Sequence, residues 1–215
     1  MMDIDAVLFD LDDTLLDRRA SFRAYAKAFV TARFQEGNWP EDMARMVALM
    51  EELDADGYGN KTAMYETLIA RWNLNETAGD LVADFYRLLA RFAVPDPDMT
   101  VVLETLAPRY KLGLVTNGTS AGQRAKIDRL GIRNLFGAIV VSGDIGIHKP
   151  DARAFHACLD ALGVAPERAV YIGDHLTNDV NGALGAGMRA IWYPNTPQKA
   201  NVPVALRLRD ILDLL

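Results

Sequence analysis

Three short apolar runs in this sequence end in residues able to do chemistry. Val7-Leu8-Phe9 runs into Asp10-Leu11-Asp12-Asp13-Thr14, and Gly113-Leu114-Val115 runs into Thr116-Asn117-Gly118. Val170-Tyr171-Ile172 runs into Gly173-Asp174, with Asn178-Asp179 close behind. A further stretch, Lys149-Pro150-Asp151, sits in the loop after the apolar run at 138–141. If the fold gathers these stretches, Asp10, Asp12, Asp174 and Asp179 put as many as four carboxylates in one pocket. Two like charges about 4 Å apart repel by roughly 4 kcal/mol at an effective dielectric near 20, so such a cluster calls for a cation. An oxygen-only ligand set around a small open site favours Mg²⁺, with water and a phosphate oxygen completing the shell. Lys149, the Thr116 hydroxyl and backbone N–H groups near Asn117 add positive charge and donors. The combination reads as a metal ion beside a phosphoryl group.

Those residues need a frame that brings distant stretches together. The runs at 6–9, 112–115, 138–141, 169–172 and 190–192 are short, rich in Val, Ile, Leu and Ala, and do not alternate with polar residues. That pattern suits parallel strands covered on both faces. Between them, residues 120–130, 152–162 and 178–186 show apolar spacing of a helical kind. Strand and helix in alternation predict an α/β fold, a Rossmann-like parallel sheet flanked by helices. In such a sheet, ligands bind outside the carboxyl ends of the strands, where the polar residues above fall. Residues 17–94 differ. Helical spacing runs through 22–34, 43–53, 63–72 and 81–92, no strand is evident, and breaks fall at Gly37-Asn38-Trp39-Pro40, at 56–60 and at 73–77. The linker-like Val94-Pro95-Asp96-Pro97-Asp98 closes the segment. The predicted organisation is a catalytic core of 1–16 and 95–215 with an inserted α-helical subdomain at 17–94.

Composition narrows the classes. The chain has 215 residues, half of them hydrophobic, and a formal net charge of −6, which excludes a disordered chain and argues against a nucleic-acid-coating surface. A single cysteine, Cys158, excludes an intrachain disulfide and suits a reducing, cytoplasmic setting. The acidic start at Asp3 and Asp5 is unlike a signal peptide, and no window has the apolar length of a membrane span.

The four stretches, in this order and at these places, resemble the motifs of the haloacid dehalogenase superfamily. The inserted helices resemble its α-helical cap, and the resemblance covers essentially the whole chain. It implies a Mg²⁺-dependent phosphatase acting on a small phosphorylated metabolite. Asp10 is then the nucleophile that becomes a phosphoaspartate. Asp12 is the acid that protonates the leaving oxygen and the base that activates water, with its backbone carbonyl a metal ligand. Thr116 and the Asn117 N–H hold phosphate oxygens, and Lys149 pairs with the nucleophile and the phosphoryl group. Asp174 ligates the metal, and Asp179 completes the acidic set by orienting Asp174, its waters or Lys149. An acid at Asp12 favours ester hydrolysis over dehalogenation, because halide leaves without a proton.

Two alternatives stay open. A phosphomutase of the same superfamily keeps both acids. A receiver-like phospho-acceptor module shares the Asp, Thr and Lys but lacks Asp12 and the inserted helices. The residues do not choose between monomer and homodimer, nor among phosphorylated substrates. Asp13 reads as a loop residue, His148 and His175 as loop residues beside the motifs, and His156 and Cys158 as packing or surface. Arg18 and Phe22, where the chain leaves the first motif, are the candidates to face a substrate.

Overall fold

The computed structural model describes residues 4–34, 39–196 and 200–215. Residues 37 and 38 of the first expected helix break lie outside them. In chain order the elements are β1 (Ala6–Phe9), β2 (Leu16–Asp17), α1 (Arg18–Arg33), α2 (Met43–Asp54), α3 (Lys61–Trp72), α4 (Ala78–Leu88) and β3 (Val94–Pro95). There follow α5 (Met99–Leu106), β4 (Lys111–Thr116), α6 (Ser120–Leu130), β5 (Ala138–Val141), α7 (Ser142–Ile145) and α8 (Ala152–Leu162). The chain ends with β6 (Ala169–Gly173), a π-helical turn (Leu176–Asn181), α9 (Gly182–Gly185), β7 (Arg189–Trp192) and α10 (Ile211–Leu214). It divides into two compact units, Met1–Asp17 with Pro95–Leu215, and Arg18–Val94.

The first unit is an α/β sandwich on a five-stranded sheet of order β5-β4-β1-β6-β7, and every pairing is parallel. Alternation along β1 sends Val7 and Phe9 into the core on one face and Ala6 and Leu8 into the core on the other. One face packs against Val102, Leu103 and Leu106 of α5 and Ile127 of α6. The opposite face packs against Phe155, Cys158, Leu159 and Leu162 of α8, which recur at helical spacing. Burial on both faces is why the strands read as unbroken apolar runs. Side-chain caps open the flanking helices: Thr119 accepts from Gly122 N–H at α6, and Asp151 from Arg153 N–H at α8. Gly131 and Gly163 close them in the left-handed conformation.

Register decides what the carboxyl edge carries. Phe9 lies beside Leu114 on one side and Ile172 on the other. Asp10 is therefore one residue past that row, while Thr116 and Asp174 are two past it, a stagger of about 3 Å at strand rise.

The second unit is helical. Phe22, Tyr25, Phe29, Met46, Met50, Tyr65, Leu68 and Phe85 form its core, with the Tyr25 and Phe85 rings edge to face at 5.3 Å. Asp42, Asn60 and Thr77 cap α2, α3 and α4 with side-chain oxygens.

Three details depart from the sequence expectations. β2 and β3 pair as a two-stranded ribbon where no strand was expected, because two residues are too few to show a period. The helix α5 was not anticipated, although Met99, Val102, Leu103 and Leu106 carry its spacing. The helix expected at 178–186 begins earlier and starts as a π-turn, which folds Asp179 back toward β6. Among the described residues no helix is long and apolar enough to cross a membrane.

Candidate active site

Asp10 leaves β1 with its N–H donating to Ile172 O at 2.9 Å, which ties the start of the loop to β6. Its side chain is buried, and Oδ1 lies 2.8 Å from Lys149 Nζ. That ammonium also donates to Asp179 Oδ1 at 2.6 Å and to the Tyr171 hydroxyl at 2.8 Å. Tyr171 in turn donates to Val115 O at 2.7 Å, so β4 and β6 together hold the lysine. Asn117 fixes the backbone of Lys149 from both sides. Its Oδ1 accepts from Lys149 N–H at 2.9 Å, and its Nδ2 donates to Lys149 O at 3.0 Å.

Asp179 is wholly buried. Its Oδ2 accepts from the His175 N–H at 2.9 Å while Oδ1 meets Lys149, so both oxygens are engaged. Gly173 makes this approach possible: a Cβ built there would stand 2.5 Å from the Asp179 carboxyl carbon. His175 caps the π-turn, its Nδ1 accepting from Thr177 and Asn178 N–H groups. Asp174 is half-buried, and its carbonyl accepts from Trp192 Nε1 at 2.6 Å.

One carboxylate oxygen from each of Asp10, Asp174 and Asp179 lies within 4.8 Å of the others. Three acids thus lie around one lysine, which pairs with Asp10 and Asp179. Burial pushes the Asp10 carboxyl up to about 7, and Asp179 and Asp12 add to it against the pull of Lys149. Burial, and then the Asp10 and Asp179 charges, push Asp174 up to about 9. Burial weakens the Lys149 ammonium, but the Asp10 and Asp179 carboxylates outweigh it and drive its pKa above the ordinary lysine range. The cluster therefore holds protons, or a cation, more tightly than free carboxylates do. The donors are all oxygen, and buried Asp10 Oδ1 accepts no hydrogen bond despite its ion pair with Lys149. A hard divalent ion fits these residues.

Asp12 is not in this cluster, so its side chain does not make the fourth carboxylate expected of it. It turns to α6, where Lys126 Nζ lies 2.7 and 2.8 Å from its two oxygens and Gln123 Nε2 2.8 Å from Oδ2. Thr116 Oγ1 also accepts from Gln123 Nε2, at 2.6 Å. Gly118, in the loop after Thr116, is held by Ser142: its N–H donates to Ser142 Oγ at 2.9 Å.

The structure therefore joins Asp10 and Asp179 through Lys149 and brings Asp174 within 4.8 Å of both acids. Asp12 joins Thr116 through Gln123, and Asn117 joins the set through the Lys149 backbone. Gln123, Lys126, Tyr171 and Ser142 were not singled out from the sequence. The available signal was a glutamine and a lysine three apart, hence on one face of the helix after Thr116-Asn117. Asp13 sits in a left-handed loop conformation at φ 57°. His156 Nε2 meets Ala186 O at 2.9 Å, and Cys158 is buried in the core, its thiol pushed up to about 12 by burial. In the second unit, Arg18 and Phe22 line a cavity of about 220 Å³ with Arg19, Arg23, Glu51, Asp54 and Asp56.

A family profile described as haloacid dehalogenase-like hydrolase matches residues 7–193. The chain is 30% identical to the phosphoserine phosphatase of Thermus thermophilus, across 97% of this chain and 96% of that protein. It is 33% identical to the glyceraldehyde 3-phosphate phosphatase of Methanopyrus kandleri, across 86% of this chain and 82% of that protein. Among solved structures, the putative haloacid dehalogenase hydrolase YfnB of Bacillus subtilis superposes with a TM-score of 0.78 at 22% identity, covering 99% of this chain and 98% of that one. The parallel sheet is thus the frame of a hydrolase class. The chain belongs to the haloacid dehalogenase-like hydrolase family.

Proposed function

We propose that this chain, a phosphoric monoester hydrolase, is a Mg²⁺-dependent phosphatase that clears a small phosphorylated metabolite through a phosphoaspartate. The observation that carries the reading is Lys149, which bridges Asp10 and Asp179 beside Asp174 at the carboxyl edge of the sheet. Asp10, the Asp12 carbonyl and Asp174 would hold the ion, with Asp179 positioning Lys149. Bound there, Mg²⁺ supplies charge neutralisation for the acids and for the phosphoryl oxygens.

Asp10 attacks phosphorus in line with the ester oxygen. Thr116 Oγ and the Asn117 N–H donate to the phosphoryl oxygens, and Lys149 balances the negative charge that gathers there. Asp12 gives its proton to the departing oxygen, so an alcohol leaves rather than an alkoxide. Asp12 then takes a proton from water, whose oxygen attacks phosphorus and frees phosphate and Asp10. In this reading the unit Arg18–Val94 is the cap that admits substrate and then excludes bulk water.

The decisive experiment is turnover of an aryl phosphate and an alkyl phosphate with Mg²⁺, with chelator, and with Mg²⁺ restored. The expected result is repeated turnover, lost on chelation and recovered with the ion. Stoichiometric phosphorylation without turnover would favour a phospho-acceptor module instead. A panel of phosphorylated metabolites, including amino-acid, triose and nucleoside phosphates, then ranks substrates by kcat/KM. Phosphate returned to a second hydroxyl of a hexose phosphate would mark a mutase.

A further inference from the structure

We propose that Gln123 and Lys126 are a positioning pair that sets the orientation of both Asp12 and Thr116. The inference rests on the phosphatase reading, because it concerns the acid and the phosphate-binding hydroxyl of that reaction. The two residues lie three apart on α6, so they project from one face of the helix. Both are buried, at 4% and 9% exposure. They close a ring of contacts: Lys126 Nζ meets both Asp12 oxygens at 2.7 and 2.8 Å and Gln123 Oε1 at 2.9 Å. Gln123 Nε2 divides its two hydrogens between Asp12 Oδ2 at 2.8 Å and Thr116 Oγ1 at 2.6 Å.

Each contact has a geometric consequence. An ammonium touching both oxygens fixes the plane of the Asp12 carboxylate. An amide donating into Thr116 Oγ1 leaves the hydroxyl's own hydrogen for another acceptor, and so aims it. One amide group thereby sets the spacing between the proton-transfer residue and a phosphate-binding residue. The backbone makes room for this. Gly118 has φ 145°, and a Cβ there would stand 2.9 Å from Gln123 Cγ. The arrangement is not a cheap way to hold a helix. Burying and fixing a lysine side chain costs its rotamer freedom, and an apolar residue at that place would pack without the need to satisfy a charge. In this reading neither residue contacts the substrate; they act through Asp12 and Thr116.

The test measures kcat and KM for an alkyl and an aryl phosphate, and inhibition by inorganic phosphate, in the wild type, Lys126→Met, Lys126→Arg and Gln123→Met. Misplacing the acid by about an ångström lowers kcat by roughly ten- to a hundredfold. Lys126→Met is expected to show that loss on the alkyl ester, with KM little changed. The loss on the aryl ester, whose leaving group needs less proton help, is expected to be several-fold smaller. Lys126→Arg recovers most of the rate. Gln123→Met weakens phosphate inhibition as well, because Thr116 loses its partner. Equal losses on the two esters, an arginine variant no better than methionine, or unchanged kinetics would overturn the proposal. If Lys126→Met does not unfold cooperatively, the ester ratio in Gln123→Met decides by the same criteria. A wild type inert on both esters overturns the phosphatase reading and this inference together. An active wild type with equal losses overturns this inference alone.

Discussion

Both units of this molecule bury a cluster of charges, and the two clusters are balanced in opposite ways. In the helical unit, Asp54 is buried between two cations, Arg18 at 2.7 Å and Lys61 at 2.8 Å, and its Oδ2 also accepts from the Gly57 N–H at 3.0 Å. In the sheet unit, one lysine serves Asp10 and Asp179 with Asp174 beside them. One acid with two cations is compensated by the protein itself. Three acids with one cation are not, and repulsion of roughly 4 kcal/mol per close pair at moderate dielectric is left for protons or a metal to relieve. The excess of like charge, more than burial or ion pairing as such, separates a site prepared for a ligand from a staple between helices.

Removing one acid from each cluster should give opposite results. Asp10→Asn takes away the proposed nucleophile and should reduce turnover to background, yet it also removes repulsion, so the variant should melt at or above the wild-type temperature. Asp12→Asn should follow, with a loss of about a hundred- to ten-thousandfold on alkyl phosphates and less on aryl phosphates. Asp54→Ala leaves Arg18 and Lys61 facing each other without their acid. It should lower stability by about 3 kcal/mol or more in denaturant titration. If Asp10→Asn were as destabilising as Asp54→Ala, the contrast between the clusters would fail.

The pH response of the apo protein sharpens the same contrast. Asp10 and Asp174 bind protons more tightly in the fold than in the unfolded chain, whose carboxyls titrate near 4. A raised acid stabilises the fold below its unfolded value, and that contribution fades as pH climbs through the folded one. With chelator present, the melting temperature should therefore fall between about pH 4 and the folded values of about 7 and 9. Mg²⁺ bound at these acids would compete with those protons, so the melting shift it produces should grow over the same window. Calorimetric melts at several pH values, with and without the ion, measure both. A Mg²⁺ shift independent of pH would argue that the ion binds away from these acids.

The candidate site was legible in the sequence where polar residues meet the end of an apolar run. Asp10 and Asp174 directly follow a buried strand and Thr116 ends one, and register then places them on one edge. The positions missed are those whose neighbours are far along the chain and whose surroundings hide them. Tyr171 lies inside an apolar run, and nothing local shows that its hydroxyl meets Lys149. Gln123 and Lys126 are separated from Asp12 by 111 and 114 positions, and polar residues on a flanking helix read as solvated until the fold turns them inward. The strands β2 and β3 were invisible for a different reason, since two residues carry no pattern.

The smallest effects test whether Tyr171 belongs to the charged site or only to the core beneath it. Each unit buries a tyrosine hydroxyl in a hydrogen bond. Tyr171 accepts from Lys149 at 2.8 Å and donates to Val115 O, while the Tyr65 and Tyr25 hydroxyls meet at 2.5 Å. Replacing either Tyr171 or Tyr65 by Phe keeps the ring and strands one buried polar partner, a cost of about 1–3 kcal/mol in each case. Stability alone would not tell the two substitutions apart. Turnover should, because Lys149 would then be steered by Asp10 and Asp179 alone, and an ammonium free to rotate among two carboxylates balances the phosphoryl charge less well. Tyr171→Phe should lower kcat several-fold at saturating substrate, whereas Tyr65→Phe should leave kcat per folded molecule unchanged. Equal kinetics in the two variants would place Tyr171 among the packing residues and leave the orientation of Lys149 to its acids.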